Sequence, residues 1–208
     1  MKQFSVSIIA DYLEAVGVGL PAGRLEQCHA LLQWLAPSAE HLGFTQYGDP
    51  GDFFAHITAP GLLLLPHIPG DARDIAEIGP GSGGAGLVIA LLRPDLHVHL
   101  IDRSSRVCTF LDIAAARFEI ENCSTRCADV DAIAAESPRY DLVTARAVAP
   151  PDEIVPSLLS LVHLDAPVAI YHSPDDCVIL DDVSLEARID TGLPNLVLSI
   201  LRQGPCNR

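Results

Sequence analysis

The spacing of apolar positions changes repeatedly along the chain, and each change predicts a switch between strand and helix. Segments of strand length are predicted at about 74–78, 97–101, 122–127, 140–144 and 166–171, and all of them except 122–127 are rich in apolar residues. Segments with apolar residues at helical spacing separate them, at 86–92, 105–118 and 152–162. Strands that alternate with helices in this way pair in parallel, and the helices cover both faces of the sheet. The pattern therefore predicts an α/β fold.

Two further strands are predicted near 183–189 and 195–202. Only Asp190-Thr-Gly-Leu-Pro194 separates them, and a parallel crossover needs a longer connection. They should therefore pair as an antiparallel hairpin. Together with the five earlier strands, they predict a seven-stranded, mostly parallel sheet.

The first 70 residues carry helical patterns only. Helices are predicted over 4–16, from about Pro21 to Leu35, and over 53–65 with a bend at Pro60-Gly61. The stretch 36–51, rich in Pro, Gly and polar residues, is predicted to be a loop. We expect residues 1–70 to form a small helical cap and residues 71–208 a sheet domain, the two making one compact unit.

A glycine-rich segment follows the first predicted strand. Gly79-Pro-Gly-Ser-Gly-Gly-Ala-Gly86 holds five glycines in eight residues and leads into a helix. Glycines at such a turn allow positive φ and let a ligand approach bare main chain, so a nucleotide-like cofactor is indicated. Gly81, Gly83 and Gly86 fit the G-x-G-x-x-G pattern of dinucleotide sites, whereas Glu77 and the glycines after it fit the E/D-x-G-x-G-x-G pattern of S-adenosylmethionine sites. A third interpretation is a turn whose glycines only allow close packing of helix on sheet.

Two acidic residues favour S-adenosylmethionine as the cofactor. Glu77 would repel a pyrophosphate, but it could accept a hydrogen bond from the cofactor's ammonium group directly or through water. Asp102 ends the second predicted strand, where an acid can bind ribose hydroxyls.

The charge of the chain limits its partners. The formal net charge is −14, with only 13 Lys and Arg residues. Affinity for nucleic-acid phosphates comes largely from counterions that Lys and Arg displace, so binding to DNA is not expected. Between Arg93 and Arg146, however, seven cationic residues accompany nine acidic ones, and the predicted cofactor region is nearly neutral.

The cysteines indicate neither zinc nor disulfides. Six cysteines occur without a C-x-x-C pair, and Cys123 and Cys127 should share one face of a strand. No further ligands accompany these two residues, so we predict buried free thiols and no metal site. We also expect a cytoplasmic protein without a membrane partner, because no signal-peptide pattern and no bilayer-spanning apolar stretch is evident.

Three motifs carry a resemblance to a known family. The chain resembles the RsmG (GidB) family of small-subunit ribosomal RNA guanine-N7 methyltransferases over about residues 28–203. The glycine segment resembles the family's G-S-G-A-G-F-P-G, and Arg93-Pro-Asp-Leu-His-Val-His-Leu-Ile-Asp102 resembles its R-P-D-L-x-V-x-L-L-D. Tyr140-Asp-Leu-Val-Thr-Ala-Arg-Ala-Val-Ala149 matches its Y-D-V-V-T-A-R-A-V-A nearly letter for letter. Ordinary strand packing gives no reason for an Arg in that last motif.

The resemblance implies a Rossmann-like class I methyltransferase that acts on guanine N7 of small-subunit ribosomal RNA, within a ribosomal particle. It implies that glycines of the loop hold the methionine part of S-adenosylmethionine, that Asp102 holds ribose, and that the main chain at Val130-Asp131 flanks adenine. Arg146 would lie beside the reacting centre and the cofactor, and Arg106 takes the place of a family Lys. The complete predicted cofactor site comprises Glu77, Gly79, Gly81, Gly83, Gly84, Asp102, Asp129, Val130, Asp131 and Arg146.

Arg146 and Arg106 are the candidate catalytic residues. Guanine N7 has a lone pair and needs no general base, so catalysis depends on alignment. We expect Arg146 to orient guanine or its phosphate and Arg106 to grip the RNA backbone; an ion pair between Arg146 and Asp141 is the structural alternative. Elsewhere the family's N-L-T-A-I-R-D-P becomes His41-Leu-Gly-Phe-Thr-Gln-Tyr-Gly-Asp-Pro50, without its Arg. Two alternatives therefore stay open, a small-molecule or protein substrate and a non-catalytic cofactor-binding module.

Overall fold

A seven-stranded sheet is the centre of the molecule. The structure, a computed structural model, describes residues 4–19, 23–176 and 182–204. The strands are β1 Asp74–Ile78, β2 His97–Asp102, β3 Cys123–Cys127, β4 Leu142–Arg146, β5 Val168–His172, β6 Val183–Asp190 and β7 Val197–Gln203. The α-helices are α1 Val6–Ala15, α2 Arg24–His41, α3 Pro50–Phe53, α4 Ala59–Leu62, α5 Gly86–Leu92, α6 Ser105–Arg117, α7 Val130–Ala135 and α8 Pro151–Leu159.

The strand order is β3-β2-β1-β4-β5-β7-β6. The first five strands pair in parallel, and β7 pairs antiparallel with both β5 and β6. The predicted seven-stranded, mostly parallel sheet and its terminal hairpin are therefore confirmed. The chain moves outward from β1 to β3 and then returns to β4 on the other side of β1. Ligands of open α/β sheets bind beyond the carboxyl ends of the strands at such a reversal, so this edge is where a site is expected.

The two faces of the sheet bury two different apolar cores. Ile75 of β1 packs with residues of α1, α2, α5 and α6, whereas its neighbour Ala76 packs with residues of α7 and α8. This alternation follows from the two-residue period of a strand. The cap helices and the sheet thus share one continuous core on the first face. No helix of the described ranges is long and apolar enough to cross a membrane.

The structure differs from the sequence prediction in several places. Helix α2 continues to His41, so the predicted loop over 36–51 is wrong for its first six residues; Pro37 lies on the exposed side of this helix. Helix α7 was not predicted, although Asp129 caps it by accepting from the Asp131 N–H at 3.1 Å. Strand β4 begins two residues later than expected. The predicted helix start at Pro21 lies outside the described residues.

One helix of the cap is bent where it meets the sheet. A π-helical stretch, Phe54–Thr58, joins α3 to α4, and we call the whole of 50–62 the bent helix. Within it the Ala59 N–H donates to the Phe54 carbonyl, five residues back. Pro60 has no N–H to offer the carbonyl four residues before it, which belongs to His56. Carbonyl groups of the bent helix are therefore available to side chains of the sheet.

Candidate cofactor and active site

A cavity of about 250 Å³ opens at the carboxyl ends of the central strands. It lies between the loops that follow β1, β2, β3 and β4, where the strand order places a site. Its lining residues are Ile78, Gly79, Ile101, Asp102, Arg103, Ala128, Asp129, Val130, Arg146, Ala147 and Val148. The structure thus brings together Gly79, Asp102, Asp129, Val130 and Arg146 of the predicted set around one space.

The glycines of the loop divide into two groups. Gly79 and Gly81 have φ of 69° and 53°, a left-handed conformation that favours glycine. A Cβ on Gly81 would meet nothing within 4 Å, so this stretch of main chain is bare. Gly83 and Gly84 instead make tight packing contacts: a Cβ on Gly84 would lie 2.6 Å from the Phe53 ring. Gly81 thus leaves main chain open, Gly79 lies against the Val148 side chain, and the later glycines let the bent helix and α6 approach.

Asp102 is held in a fixed orientation at the end of β2. Its Oδ1 accepts from the Ser104 N–H at 2.8 Å, and the side chain of Ser104 in turn caps α6 by accepting from Val107 N–H. The second carboxylate oxygen, Oδ2, makes no hydrogen bond to the described part of the chain. A preoriented carboxylate of this kind suits a pair of ribose hydroxyls.

Asp129 and Val130 form the opposite wall at the start of α7. The Asp129 side chain is used as the helix cap, which leaves the main chain at Val130 to border the cavity. Asp131 does not line it, because its carboxylate accepts from the Ser157 hydroxyl of α8 at 3.0 Å. Gly81, Gly83 and Gly84 do not line it either.

Arg106 lies on the outer side of α6, away from the cavity lining. Its guanidinium donates to the Leu42 carbonyl at 3.2 Å and lies 5.6 Å from the centre of the Phe44 ring. Arg103, which sequence reasoning did not select, lines the cavity directly after Asp102. The only sequence signal for Arg103 is its position after the predicted ribose-binding acid.

Glu77 faces the cap side of β1 and does not line the cavity. Its Oε2 is buried without a hydrogen-bond partner, and burial raises the pKa of the carboxyl from 4.5 to about 7; the Gly86 N–H and the Arg146 charge act against this rise. A Cβ on Gly86 would collide with Oε2, so glycine is required at that position. The predicted contact between Glu77 and the cofactor's ammonium stays a prediction.

Arg146 joins the end of β4 to the bent helix. Its guanidinium donates to the His56 carbonyl at 2.7 Å and to the Ile57 carbonyl at 3.0 Å. Burial lowers the pKa of Arg146, although the nearby Tyr171 and Glu77 favour the charged form. Among the described residues no carboxylate lies within ion-pair distance of Arg146, and Asp141 instead accepts from the N–H groups of Arg73 and Asp74. The alternative of an Arg146–Asp141 pair is not what the structure contains.

Two further hollows lie on the surface of the sheet domain. A groove of about 440 Å³ adjoins the cavity at Ala147 and Val148 and extends over the ends of β4 and β5. A larger hollow of about 540 Å³ lies at the turn between β6 and β7, and none of the predicted site residues lines it.

Of the cysteines, Cys28 and Cys108 are buried free thiols as predicted, but Cys127 is exposed because it ends an edge strand.

Comparison with known proteins agrees with this arrangement. Residues 24–175 match the model of the GidB family, described as rRNA small subunit methyltransferase G. Ribosomal RNA small subunit methyltransferase G of Methylobacillus flagellatus is 32% identical over 65% of this chain and 64% of its own length. The protein of the same name from Sorangium cellulosum is 33% identical over 67% of this chain and 60% of its own length. The matched part of this chain thus spans less than two thirds of either relative.

Solved structures establish the fold class. The glycopeptide N-methyltransferase MtfA, in complex with S-adenosylmethionine, superposes with a TM-score of 0.57 over 70% of this chain and 92% of its own, at 11% identity. A similarity at such low identity is evidence for the fold only. The predicted Rossmann-like class I methyltransferase fold is confirmed. Since the family model covers most of the chain, the protein belongs to the GidB family of small-subunit ribosomal RNA methyltransferases.

Proposed function

We propose that the chain binds S-adenosylmethionine in the 250 Å³ cavity and transfers its methyl group to guanine N7 of small-subunit ribosomal RNA. The observation that carries the proposal is the convergence of Gly79, Asp102, Val130 and Arg146 on one space at the reversal of strand order. The names of the relatives support the RNA substrate. A ribosomal particle in the cytoplasm would present that RNA to a chain too acidic to hold it alone.

The residues present fit this cofactor. Asp102 offers a fixed carboxylate for ribose hydroxyls, the main chain at Val130 can border adenine, and the left-handed main chain at Gly79, which lines the cavity, would accommodate the methionine part. A cavity of about 250 Å³ is near the lower end of ordinary ligand sites. Glu77 lies near the end of β1, and its predicted contact with the ammonium group can be tested by measuring how tightly Glu77 variants bind S-adenosylmethionine.

The proposed chemistry needs alignment and no proton transfer. S-adenosylmethionine, when bound, would supply a methyl group on a positively charged sulfur. The N7 lone pair forms the new bond to carbon while the carbon–sulfur bond breaks, so no side chain has to act as a general base. Guanine becomes positively charged, and Arg146 should therefore contact O6 or a phosphate and avoid N7.

Arg146 is well prepared for that role. A guanidinium has five N–H donors, and two go to carbonyls of the bent helix. The remaining donors and the charge are available to the substrate, and the side chain loses little freedom on binding because it is already fixed. Arg106, on the outer side of α6, would contact RNA phosphates at a distance from the reacting base.

Calorimetry with S-adenosylmethionine tests the cofactor site. We expect the wild-type chain to bind, and Asp102→Asn to weaken binding about tenfold to a hundredfold, the range for losing hydrogen bonds to a charged group. Asp112→Asn, at an exposed position of α6, is the matched control and should bind as the wild type does. Absence of binding by the wild type would refute the proposal.

Mass spectrometry of small-subunit ribosomal RNA tests the substrate. A strain that lacks the protein should lose one N7-methylguanine, and expression of the wild type should restore it. Arg146→Lys should fail to restore it while binding the cofactor within a few fold, because an ammonium cannot reproduce the planar donor array. Intact methylation in the deletion strain would rule out this substrate, and full restoration by Arg146→Lys would remove Arg146 from the mechanism.

A second candidate is a methyltransferase that acts on a small molecule or a protein. The 440 Å³ groove beside the cavity favours it, because the described residues that line this groove include Asp176 and Asn195 and no Arg or Lys. A cationic or neutral acceptor would enter it more readily than a phosphate chain. Normal ribosomal RNA methylation in the deletion strain, combined with cofactor binding by the purified chain, would select this candidate.

A further inference from the structure

Among the described residues, three buried side-chain atoms have no hydrogen-bond partner, and two of them lie side by side in the sheet beneath the bent helix; the third is Thr58 Oγ1. Glu77 of β1 and Thr144 of β4 are neighbours in the sheet, with paired Cα atoms. Glu77 Oε2 and Thr144 Oγ1 are both inaccessible to solvent, and neither makes a hydrogen bond with the described residues. An unpaired buried polar atom costs about 1–3 kcal/mol, so two adjacent ones call for a physical explanation.

Both side chains border the same small cavity. Its volume is about 20 Å³, and Arg146 and Tyr171 border it as well, together with main chain of Gly61 and Gly86. A cavity needs roughly 10–15 Å³ to hold one water, and the water needs two to four polar partners. The volume suffices for one water and for no larger ligand, and Glu77 and Thr144 offer two polar groups in a lining that is otherwise mostly apolar: Leu64, Ile75, Ala85, Ile89 and Val98.

The roof of the cavity is polar for a reason built into the sequence. Pro60 has no N–H for the His56 carbonyl, which accepts from Arg146 instead. The Pro60 and Gly61 carbonyls accept from the Leu63 and Leu64 N–H groups and also from a side chain of the sheet. The Tyr171 hydroxyl donates to the carbonyls of Pro60 and Gly61 at 3.1 and 3.2 Å. The Arg146 guanidinium donates to the carbonyls of His56 and Ile57. The polar groups of Glu77 and Thr144 thus lie beneath a roof that is itself fixed by hydrogen bonds.

We propose that this cavity is a binding site for one water molecule, which hydrogen-bonds to Glu77 Oε2 and Thr144 Oγ1 and bridges β1 to β4 beneath the bent helix. The water satisfies both orphan atoms at once. Glu77 is then a positioning residue of this junction, which fixes the loop main chain through the close contact with Gly86. The inference concerns the fold of the site and does not depend on the substrate.

The charges around Glu77 are compatible with a bound water. Because burial raises the pKa of Glu77 to about 7, its carboxyl holds a proton below neutral pH, where it can both donate to a water and accept from it. The groups that face it are Arg146 of β4, Tyr171 of β5 and Cys123 of β3. Burial raises the pKa of the Cys123 thiol to about 12 and that of Tyr171 higher still, so both stay neutral.

Thr144→Val decides between a wet and a dry cavity by the sign of its effect. Valine has the shape of threonine and lacks the hydroxyl. In a wet cavity the water loses a partner, and the melting temperature should fall by several degrees. In a dry cavity the substitution removes an unsatisfied hydroxyl, and the melting temperature should rise. Thr125→Val in β3 is the matched control for the strand preference of valine.

A crystal structure of the wild-type chain at high resolution provides the second measurement. We expect one density peak within hydrogen-bond distance of Glu77 Oε2 and Thr144 Oγ1, absent from Thr144→Val. An empty cavity, a direct bond between the two side chains, or a melting temperature of Thr144→Val at or above that of Thr125→Val would each overturn the proposal.

Discussion

Replacing Glu77 by Gln should change how the stability of the protein depends on pH. Gln has the same shape, can still hydrogen-bond, and carries no charge at any pH. The wild-type carboxyl is buried on the cap side of β1, and this burial raises its pKa from 4.5 to about 7. The folded chain therefore keeps a proton over a range of pH in which the unfolded chain has lost it.

The sign and the size of the effect follow from this linkage. Below about pH 4.5 both states hold the proton, and Glu77 causes no pH dependence. Between about 4.5 and 7 only the folded state holds it, so the free energy of unfolding falls as pH rises. Above about 7 the loss is complete. A shift of this size corresponds to about 3 kcal/mol, since one pKa unit is about 1.4 kcal/mol; relaxation of the structure would reduce the measured value.

Urea unfolding from about pH 5 to about pH 8.5 measures the effect. We expect Glu77→Gln to gain about 1–3 kcal/mol relative to the wild type across this range, because only the wild type loses the contribution of the proton. Glu121→Gln, at an exposed carboxylate, is the control and should follow the wild-type curve. Parallel curves for wild type and Glu77→Gln would refute the reasoning and mean that Glu77 is solvated.

Three further substitutions test the packing of the bent helix and the loop. Gly84→Ala would place a Cβ 2.6 Å from the Phe53 ring, and should lower the free energy of unfolding by about 1–3 kcal/mol in urea titrations. In Gly81→Ala the new Cβ meets nothing within 4 Å, so only the φ of 53° should lower the free energy of unfolding, by about 1–2 kcal/mol. A larger loss of stability in Gly81→Ala than in Gly84→Ala would contradict the assigned roles. Tyr171→Phe removes two hydrogen bonds to carbonyls of the bent helix and should speed amide exchange across 54–64, whereas unchanged exchange would show that these bonds do not hold the helix.

The sheet could be predicted from sequence because its signals are local. Each buried strand is a short apolar run, and the five residues between the last two strands leave the hairpin as the only connection. The errors occurred where tertiary context overrides a local signal. The stretch 36–51 was predicted to be a loop from its Pro, Gly and polar residues, yet Pro37 is accommodated on the exposed side of α2. Helix α7 is only six residues long and depends on its Asp129 cap and on packing against α8.

The candidate site was predictable as a set of positions and not as a set of contacts. Asp102 and Gly79 follow strands, and their convergence follows from the parallel order alone. The direction of Glu77 depends on the register of β1 and on which face the cap covers, and the motif does not contain that information. The partners of Arg146 could not be predicted, because they are two carbonyls of the bent helix about 90 residues away in sequence.

The structure makes the cap part of the candidate active site. Arg146 borders the cofactor cavity and also holds the bent helix, so the position of the cap and the orientation of this guanidinium are linked. The packing glycines add a second link, because Gly84 lies against Phe53 of the bent helix. A ligand that moves the loop must therefore shift the bent helix or break its bonds to Arg146. The Thr144-Ala-Arg-Ala147 segment then has a structural role besides its proposed catalytic one, because Arg146 links the cavity at the end of β4 to the bent helix of the cap.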